Sequence, residues 1–413
     1  MTAPPAAAIA RSQPKDRRMP PADGGAQPAE AMPAMLSPWT YRSEEFTALE
    51  IEHLFRRQWL LAGHVSDLAA AGDCLTFEAG GESALVVRGA DDQLRAFHNV
   101  CRHRGARLVD SERGRCPNRI TCPFHGWTYG LDGQLRGVPA AATFDGLDRA
   151  AIRLAPLRME VWHGFIFVRF AGDGPSVEQT MRPVDDLLAP HRLPDLEPLP
   201  GARFRERRPC NWKVIHDVDN EGYHVPVGHP QLQELYGDNY RDDWVGGVSV
   251  SFARLNETPG HSWSVRHYQK LLPDFAHLPP AHRRLWFYVG IFPSTVLAIY
   301  PEGLEFYMSI PLSADATRFV GGGYALPDPR REVRAARYLG ARINRAADRE
   351  DAAFARRLQA GMQSSAFPAP RLSSIERGVP AFHEQIRRIL PVASLAAAPP
   401  PGEVARLNAE MGG

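Results

Sequence analysis

Two pairs of cysteine and histidine lie in the stretch CRHRGARLVDSERGRCPNRITCPFHGW, which begins at Cys101 and ends at Trp127. One residue separates Cys101 from His103, and two residues separate Cys122 from His125. Zinc fingers usually group two cysteines and then two histidines at shorter separations. The alternation of ligand types favours a two-iron cluster in which one iron takes both thiolates and the other takes both imidazoles. A zinc ribbon, or a set of unligated core residues, is the alternative interpretation.

The residues around these pairs fit two tight loops. Gly105 and Gly126 allow each loop to turn close to the sulfides, because glycine adopts backbone conformations that other residues avoid. Cys116 lies between the loops without a partner histidine. We interpret it, like Cys74 and Cys210, as an ordinary cysteine without a ligand role.

The segments CRHRG and CPFHGW resemble the two cluster-binding loops of Rieske [2Fe–2S] proteins. The resemblance implies that Cys101 and Cys122 are the thiolate ligands and that His103 and His125 are the imidazole ligands. A Rieske cluster carries one electron at a time, at a reduction potential between about −150 and +300 mV. It can therefore accept an electron from a flavin or ferredoxin donor, and a second centre must receive that electron.

A second group of metal-binding residue types occurs in the stretch NWKVIHDVDNEGYHVPVGHP. His224 and His229 are five residues apart, which is about 140° around a continuous helix, so their rings would diverge. We predict that Pro226 interrupts the helix and that Gly228 frees the backbone, which brings both rings to one metal. Glu221 lies three residues before His224 on the same predicted helix face, where its carboxylate would accept the ring N–H of a metal-bound imidazole.

This second stretch resembles the mononuclear iron motif of Rieske non-haem iron oxygenase α subunits. Those proteins hold Fe(II) with two histidines and one carboxylate and leave positions open for oxygen. The resemblance implies that the metal ligands are His224, His229 and Asp351, where Asp351 is the second residue of an acidic pair with Glu350. Asp348 is the alternative third ligand. Without the resemblance, the acidic pair would be interpreted as a solvated helix face.

The resemblance covers about residues 39–391 and implies the fold and the assembly of the family. The implied fold is α+β, with a β-rich Rieske [2Fe–2S] domain and a helix-grip catalytic domain, which is a curved antiparallel sheet with helices. The implied assembly is a head-to-tail homotrimer. In it, the carboxylate of Glu221 would join the iron-bound histidine of one subunit to His125 of the next and carry the electron across the boundary.

The elements that must position these residues are predicted from short apolar runs, turn residues and helical periodicity. Strands are predicted at CLTFEAG, SALVVRG, LRAFHNV and VWHGFIFVRF, a hairpin at WTYGLDGQLRG, and neighbouring strands within RRLWFYVGIFPSTVLAIY and EFYMSIPLSADATRFVGGGYAL. Helices are predicted at SEEFTALEIEHLFRRQWLLAG, over 330–363, and at SSIERGVPAFHEQIRRIL, which Pro380 interrupts. The predicted organisation is a disordered N-terminal tail at 1–38, the N-terminal helix and Rieske domain at 39–158, the mononuclear iron domain at 159–395 and a C-terminal tail at 396–413.

Composition excludes several classes of protein. The net charge of the 413 residues is +1, so nothing indicates a nucleic acid or a membrane surface as partner. No apolar run reaches the roughly 18 residues of a membrane-spanning helix. The Ala- and Pro-rich N-terminus lacks the apolar stretch of a signal peptide, and an arginine-rich transit peptide is the alternative. Five cysteines do not suggest a disulfide framework, so we expect a reducing, cytoplasmic location.

The resemblance implies a terminal oxygenase, either a monooxygenase or a dioxygenase. Electrons from NAD(P)H would reach it through a partner reductase, with or without a ferredoxin, and O2 would oxidise a small organic substrate. We expect hydroxylation of an aromatic compound, because the second domain is rich in aromatic residues that could line a slot: Tyr236, Tyr240, Trp244, Trp263, Tyr268, Trp286, Phe287, Tyr288, Phe292 and Tyr307. One alternative is N-demethylation of a quaternary ammonium or betaine compound held in an aromatic cage. Another is a Rieske electron carrier without mononuclear iron.

Overall fold

The computed structural model describes residues 35–367 and 370–412. The strands are β1 (Leu60–His64), β2 (Asp73–Ala79), β3 (Glu82–Arg88), β4 (Leu94–His98), β5 (Arg113–Arg115), β6 (Arg119–Thr121), β7 (Thr128–Gly130), β8 (Leu135–Gly137), β9 (Arg158–Trp162), β10 (Phe165–Arg169), β11 (Glu197–Pro198), β12 (Phe204–Arg208), β13 (Tyr240–Val245), β14 (Val248–Arg254), β15 (Leu285–Ile291), β16 (Thr295–Tyr300), β17 (Gly303–Ser313) and β18 (Ala316–Ala325). The α-helices are α1 (Glu44–Glu50), α2 (Val177–Met181), α3 (Asp185–Leu188), α4 (Trp212–Asp219), α5 (Val225–Gly228), α6 (Pro230–Tyr236), α7 (Trp263–Leu271), α8 (Arg331–Met362), α9 (Gly378–Ile389) and α10 (Val404–Gly412).

The first β-rich region consists of two small antiparallel sheets, with the strand orders β4–β3–β2–β5 and β6–β7–β8. The predicted strands CLTFEAG, SALVVRG and LRAFHNV are confirmed as β2, β3 and β4. The predicted hairpin is confirmed as β7 and β8, and Gly133 in its turn has a φ of +80°. One predicted cluster loop lies between β4 and β5, and the other lies between β6 and β7.

Two predicted elements differ from the structure. The predicted N-terminal helix is too long: α1 ends at Glu50, a π-helical turn continues it over Ile51–Phe55, and the segment LLAG is strand β1 instead. Strand β1 pairs antiparallel with β10, and this long-range pairing outweighs the local helical pattern. The predicted single strand VWHGFIFVRF is a hairpin of β9 and β10, because His163 and Gly164 turn with φ values of +47° and +80°.

The sheet β1–β10–β9 joins the two predicted domains, since β1 belongs to the first and β10 to the second. Residues 1–34 of the predicted disordered tail lie outside the described residues. Leu36 is fully buried and its N–H donates to Nδ1 of His383 at 3.2 Å, so the end of that predicted tail is folded rather than disordered. The predicted C-terminal tail contains α10, and Val404 of that helix is buried.

The second domain is built on an eight-stranded antiparallel sheet with the strand order β11–β18–β17–β16–β15–β14–β13, and β12 also pairs with β18. The two predicted pairs of neighbouring strands are confirmed as β15 with β16 and β17 with β18. Side chains alternate between the faces of each strand. Residues such as Val250, Phe287 and Leu297 pack on one side against the β1–β10–β9 sheet and α2, while the other side, the inner face, packs against α6, α7 and α8. This α+β arrangement confirms the predicted fold class.

Helix α4, which leads into the predicted metal-binding stretch, is held by buried polar contacts at both ends. Nζ of Lys213 lies 2.6 Å from Oε1 of Glu50, and both side chains are fully buried. The carboxylate of Asp217 accepts hydrogen bonds from the Tyr41 hydroxyl and from Nε2 of His383, each at 2.7 Å. Loss of one partner would leave a buried charge without compensation, so these contacts fix α4 against α1 and α9.

The predicted helix over 330–363 is confirmed as α8, and the last predicted helix is shorter than expected. Helix α9 begins at Gly378, so Pro380 lies in its first turn, where the missing N–H of proline costs no hydrogen bond. Pro380 therefore stands near the start of the helix and does not interrupt it. Among the described helices, none combines the length and the apolar composition that crossing a membrane requires.

Candidate active site

The two predicted cluster loops share one backbone geometry. The carbonyl of Cys101 accepts the N–H of Gly105 at 3.1 Å, and the carbonyl of Cys122 accepts the N–H of Gly126 at 3.0 Å. Both glycines have positive φ values, +75° and +72°, which would strain a residue with a β-carbon. Both loops therefore turn at the glycines that the sequence indicated.

The structure brings the four predicted cluster ligands to one end of the β-rich domain. Cys101 and Cys122 are buried, each 3 % exposed, whereas His103 is half-buried and His125 is exposed. The centroids of the two imidazole rings lie 4.8 Å apart, and Trp127 stacks on His103 with an interplanar angle of 5°. Burial raises the pKa of the Cys101 thiol, and the neighbouring Cys122 thiol raises it further. Two buried thiols and two more exposed imidazoles are the donor set of a Rieske cluster, so these residues fit a [2Fe–2S] group.

Tyr129 also contacts this site, although nothing in its sequence motif predicted that contact. Its hydroxyl lies 3.3 Å from Sγ of Cys101 and accepts the backbone N–H of Arg102 at 3.0 Å. Because the hydroxyl accepts from the backbone, its own proton is available to the sulfur. The available signal was the position of Tyr129 in the hairpin that directly follows the second loop.

A second donor set converges where α5, α6 and α8 meet. Nε2 of His224 lies 3.0 Å from Nε2 of His229, and Oδ1 of Asp351 lies 2.9 Å from Nε2 of His229 and 3.7 Å from Nε2 of His224. These three atoms form the group that could hold a metal ion among the described residues. Oδ1 of Asp351 is buried and faces both Nε2 atoms. Two imidazoles and a carboxylate that converge in this way fit a divalent iron, with donors on one side only.

Each of the two histidines is supported from behind by a carboxylate. Oε1 of Glu221 lies 2.5 Å from Nδ1 of His224, and Oε2 of Glu350 lies 2.8 Å from Nδ1 of His229. A carboxylate at Nδ1 holds the proton on that nitrogen and leaves the Nε2 lone pair for a metal. Glu350 was predicted only as the first residue of an acidic pair, so its contact with His229 was missed.

Glu221 makes the predicted contact from a different local structure. Glu221 was expected to share a helix face with His224. Helix α4 ends at Asp219, so Glu221 lies outside that helix and this expectation is wrong. Its Oε2 instead accepts the backbone N–H groups of Tyr223 and His224 and caps the turn before α5. Pro226 likewise does not interrupt a helix but lies in the first turn of α5, after His224.

Gly228 leaves space for the ring of Phe354 beside the two metal-binding histidines. A β-carbon at Gly228 would lie 2.8 Å from Cε2 of Phe354. The missing side chain therefore allows Phe354 to approach both iron-site histidines, with ring centroids 6.2 Å from each. Phe354 closes one side of the donor set with an apolar wall.

The alternative third ligand, Asp348, faces away from the histidines. Its Oδ1 lies 2.6 Å from a guanidinium nitrogen of Arg208. The carboxylate of Asp348, one helical turn before Asp351, is therefore engaged in an ion pair with Arg208. The geometry therefore favours Asp351 over Asp348 for the metal.

The carboxylates give the second donor set a negative character. Burial lowers the pKa of His224, but hydrogen bonds and charge from Asp351 and Glu221 outweigh burial and raise it to about 10. Burial raises the pKa of Asp351, but hydrogen bonds from His224 and His229 outweigh burial and leave it below the usual value. Two imidazoles among three carboxylates favour a bound cation.

The inner face of the large sheet presents a row of polar side chains beside this donor set. Cross-strand pairing places Asp242 opposite Ser251, Ser251 opposite Tyr288, Tyr288 opposite Ala298, and Ala298 opposite Glu305. Because alternate residues share a face, these five side chains form one row across four neighbouring strand pairs. Serine and alanine in the row leave room between the larger side chains.

The row lies close to the metal-binding residues. Burial raises the pKa of Tyr288, and the charges of Glu305, Asp219 and Asp351 raise it further. Burial and the charge of Asp351 raise the pKa of Asp219 to about 8. Oδ2 of Asp219 is buried and has no hydrogen-bond partner among the described residues.

The two carboxylates of the row, Asp242 and Glu305, accept hydrogen bonds from neutral side chains. Asp242 accepts hydrogen bonds from Tyr240 and Ser251, and Glu305 accepts one from Asn344 at 3.0 Å. Burial raises the pKa of Asp242 and of Glu305. The inner face therefore combines phenol rings with half-buried carboxylates that lack a directly bonded cation among the described residues.

The predicted aromatic lining residues separate by position. Those that fill apolar cores and are fully or almost fully buried are Tyr236, Tyr268, Trp286 and Phe287. Trp263 is 53 % exposed on α7. Tyr288 and Tyr307 lie on the inner face, where the charges of Asp219 and Asp351 reach both phenols.

Two protein-family models match separate parts of the chain. Residues 58–155 match the model of the Rieske [2Fe-2S] domain, and residues 195–392 match the model of the ring hydroxylating alpha subunit (catalytic domain). The chain is 39 % identical over 217 residues to the carnitine monooxygenase oxygenase subunit of Escherichia coli (strain K12), covering 50 % of this chain and 56 % of that protein. It is 34 % identical over 194 residues to the glycine betaine monooxygenase oxygenase subunit of Pseudomonas aeruginosa, covering 46 % of this chain and 44 % of that protein.

The chain thus spans about half the length of these curated relatives. The fold also matches a solved structure of a quaternary ammonium Rieske monooxygenase described for carnitine oxidation by gut microbiota. That match has a TM-score of 0.74 and 23 % sequence identity, and it covers 86 % of this chain and 95 % of the other.

Proposed function

We propose that this chain, which belongs to the family of Rieske non-haem iron oxygenase α subunits, is the oxygenase component of a monooxygenase that acts on a quaternary ammonium compound. The family accounts for both donor sets, with Cys101, His103, Cys122 and His125 for the cluster, and His224, His229 and Asp351 for iron. When bound, the cluster supplies single electrons and the iron supplies oxygen activation.

The observation that supports a cationic substrate is the set of half-buried carboxylates on and beside the inner face. Asp219, Asp242 and Glu305 are half-buried on or beside the inner face, and burial raises the pKa of each. A carboxylate withdrawn from water is costly unless a positive charge compensates it. A trimethylammonium group has such a charge and cannot donate a hydrogen bond from nitrogen. Phenol rings bind it through their faces, and carboxylates bind it through charge.

The expected hydroxylation of an aromatic compound is the weaker interpretation. A neutral aromatic ring brings no charge to the three carboxylates, and the curated relatives named above act on glycine betaine and carnitine. The alternative expectation, N-demethylation of a quaternary ammonium or betaine compound, agrees with both the carboxylates and these relatives. A Rieske electron carrier would have no use for two histidines that carboxylates hold in one orientation.

The chain's own residues would divide the work. Glu221 and Glu350 hold the two imidazoles in one tautomer, and Phe354 limits the access of water from one side. Tyr288 and Glu305 would orient the cationic group, so that the carbon to be oxidised faces the open side of the metal ligands. Electrons from NAD(P)H would arrive through a separate reductase, with or without a ferredoxin.

We also infer the family's homotrimer for this chain. Val227 and Tyr223 are 90 % and 60 % exposed between the iron-site residues, and Phe124, beside His125, is 56 % exposed. Large apolar side chains that remain exposed beside both donor sets suit a contact between subunits. Such a contact would place the cluster of one subunit near Glu221 of the next.

The test measures product and metal together. The chain is reconstituted anaerobically, paired with a reductase, and supplied in parallel with choline, glycine betaine, carnitine and a panel of aromatic acids. We expect substrate-dependent NADH consumption with an oxidised product from a quaternary ammonium compound, and three irons per chain. Product from the aromatic acids alone would reject the substrate class, and two irons per chain without product would support the electron carrier.

A matched pair of ligands tests the role of charge. The neutral alcohol 3,3-dimethylbutanol has the shape of choline without the positive charge. We expect the wild-type chain to bind choline more tightly than this alcohol, and we expect Glu305→Gln to reduce that preference. The control is Glu302→Gln, since Glu302 is also buried but receives the Tyr268 hydroxyl away from the row.

A further inference from the structure

Two cysteines outside the cluster form a close pair. Sγ of Cys74 lies 3.8 Å from Sγ of Cys116. Cys74 is in β2 and is 2 % exposed, whereas Cys116 follows the last residue of β5 and is half-buried. The pair therefore joins one protected thiol to one that solvent can reach.

The backbone around the pair brings the two chain segments together. Cys74 is paired with Gly114 across the β2–β5 ladder, and the N–H of Cys116 donates to the carbonyl of Gly72 at 2.7 Å. Cys116 stands at the end of a three-residue strand, so a small movement there does not disturb a long ladder. A disulfide needs its sulfurs about 2.05 Å apart, so the two sulfurs at 3.8 Å must approach each other for the bond to form.

The two thiols differ in reactivity. A hydrogen bond from the Cys74 thiol lowers the pKa of Cys116, which increases the thiolate fraction of Cys116 at neutral pH. The thiolate is the nucleophilic form of cysteine. By contrast, burial raises the pKa of Cys210 to about 11, and Cys210 is fully buried.

We propose that Cys74 and Cys116 are a peroxide-sensitive dithiol that closes to a disulfide between β2 and the segment after β5. Hydrogen peroxide is the oxidant. The Cys116 thiolate attacks one peroxide oxygen, the O–O bond breaks, and with one proton the products are a sulfenic acid at Cys116 and one water. The Cys74 sulfur then attacks the sulfenic sulfur, the S–O bond breaks, and a second water leaves as the disulfide forms. Two electrons from the two thiols thus reduce one peroxide to two waters.

The position of the pair gives the bond a structural consequence. Cys116 lies in the chain segment that connects the two cluster loops, between His103 and Cys122. It also packs against the same core as Cys101 and Cys122. A disulfide would tether this segment to β2 without using a cluster ligand.

The experiment uses the full chain with its cluster in place. The protein is treated with a small excess of hydrogen peroxide, free thiols are blocked with N-ethylmaleimide, and non-reduced peptides are analysed by mass spectrometry while the visible absorption of the cluster is recorded. We expect a linked peptide that contains Cys74 and Cys116, lighter by two hydrogens than the sum of its parts, at unchanged cluster absorption. Dithiothreitol should reverse the link.

Two variants separate the roles of the thiols. Cys74→Ser should leave a sulfenic acid at Cys116 that dimedone traps, and Cys116→Ser should leave Cys74 unmodified by peroxide. Cys116→Ser is the variant that is less able to disturb folding, because Cys116 is half-buried whereas Cys74 is buried. The proposal is overturned if Cys116 passes to sulfinic acid without any linked peptide, or if Cys210 reacts as fast as Cys116.

Discussion

The carboxylate of Glu350 lies 2.8 Å from Nδ1 of His229, on the opposite side of the ring from Asp351. Glu221 stands in the same relation to His224. Each imidazole is thereby held through Nδ1 and presents Nε2 to the shared centre. The arrangement makes the orientation of both rings depend on acids that do not themselves reach that centre.

Replacement of Glu350 by glutamine should weaken the metal site without removing it. The amide keeps a hydrogen bond to Nδ1 but lacks the charge that makes the imidazole a stronger ligand, and loss of such a partner typically costs 10- to 100-fold in metal affinity. We expect Fe(II) affinity to fall within that range in a chelator competition, while the cluster absorption stays unchanged. Glu332→Gln, an exposed residue of the same helix, should retain the wild-type affinity.

Replacement of Asp351 by alanine should remove the mononuclear iron. Two neutral imidazoles would then hold a divalent cation without a charged ligand. Iron analysis should give two irons per chain, all in the cluster. Asp348→Ala should keep three irons, because the partner of Asp348 is Arg208. Equal loss of iron in both variants would contradict the assignment of Asp351 as the ligand.

The site was predictable to the extent that its chemistry is local in sequence. The spacing of Cys101, His103, Cys122 and His125 and the glycines of the two loops carry most of the cluster geometry. Glu350 and Tyr129 were missed because their roles depend on contacts between distant elements. Nothing next to Glu350 in the sequence indicates that its helix passes behind His229, 121 residues away.

The fold shows the same limit. Strands β2, β3 and β4 are short runs separated by turn residues and were predicted, but the segment LLAG follows a helical pattern and forms β1 only because β10 pairs with it. The hairpin of β9 and β10 was read as one strand, since its turn at His163 uses a positive φ that a non-glycine residue rarely adopts. Pairing with a distant strand decided the first case, and a local turn conformation that the sequence does not signal decided the second.

Replacement of Tyr129 by phenylalanine should lower the reduction potential of the cluster. The Tyr129 hydroxyl lies 3.3 Å from Sγ of Cys101, and hydrogen bonds to the sulfurs are among the features that set this potential. The bond stabilises the more negative, reduced state, so its loss favours the oxidised state. A redox titration followed by EPR should show the shift, and Tyr338→Phe, whose ring is 55 % exposed on α8, should not shift. A higher potential in Tyr129→Phe would contradict the assignment of the hydroxyl as donor to sulfur.

Stability should fall between pH 7 and pH 5 because His191 is buried in its neutral form. Burial, with the nearby His282 and His277, lowers the pKa of His191 to about 3. Below the unfolded value of about 6.5, the unfolded state binds a proton that the folded state does not, so the free energy of unfolding decreases as pH falls. This one group should cost about 2 kcal/mol at pH 5.

Chemical denaturation at pH 7 and at pH 5 measures this contribution. His191→Gln should lose less stability than the wild-type chain over the same interval, by roughly the 2 kcal/mol assigned to the ring. His261→Gln provides the matched control, because His261 is exposed. An unchanged pH dependence in His191→Gln would mean that other groups account for the acid sensitivity.

Replacement of Glu221 by glutamine should interrupt the passage of an electron from the cluster to the iron. Glu221 contacts His224 at Nδ1 and lies next to Tyr223, which is 60 % exposed. In the proposed trimer, this surface meets His125 of the neighbouring subunit. Glutamine keeps the volume but loses the charge that favours the protonation and orientation of a histidine. We expect the cluster to form and to be reduced by dithionite, and we expect product from a single turnover with substrate and O2 to fall to background.

Glu350→Gln provides the comparison that separates this role from metal binding. Both variants weaken the support of one iron-site histidine, so both are studied at saturating Fe(II), where the site is filled. Only Glu221→Gln should then lose product, because Glu350 supports His229 from α8 and not from the loop beside Tyr223 and Val227. Equal product from both variants would remove Glu221 from the path and, with it, the main argument for the trimer. Equal loss in both would assign the effect to the metal site itself.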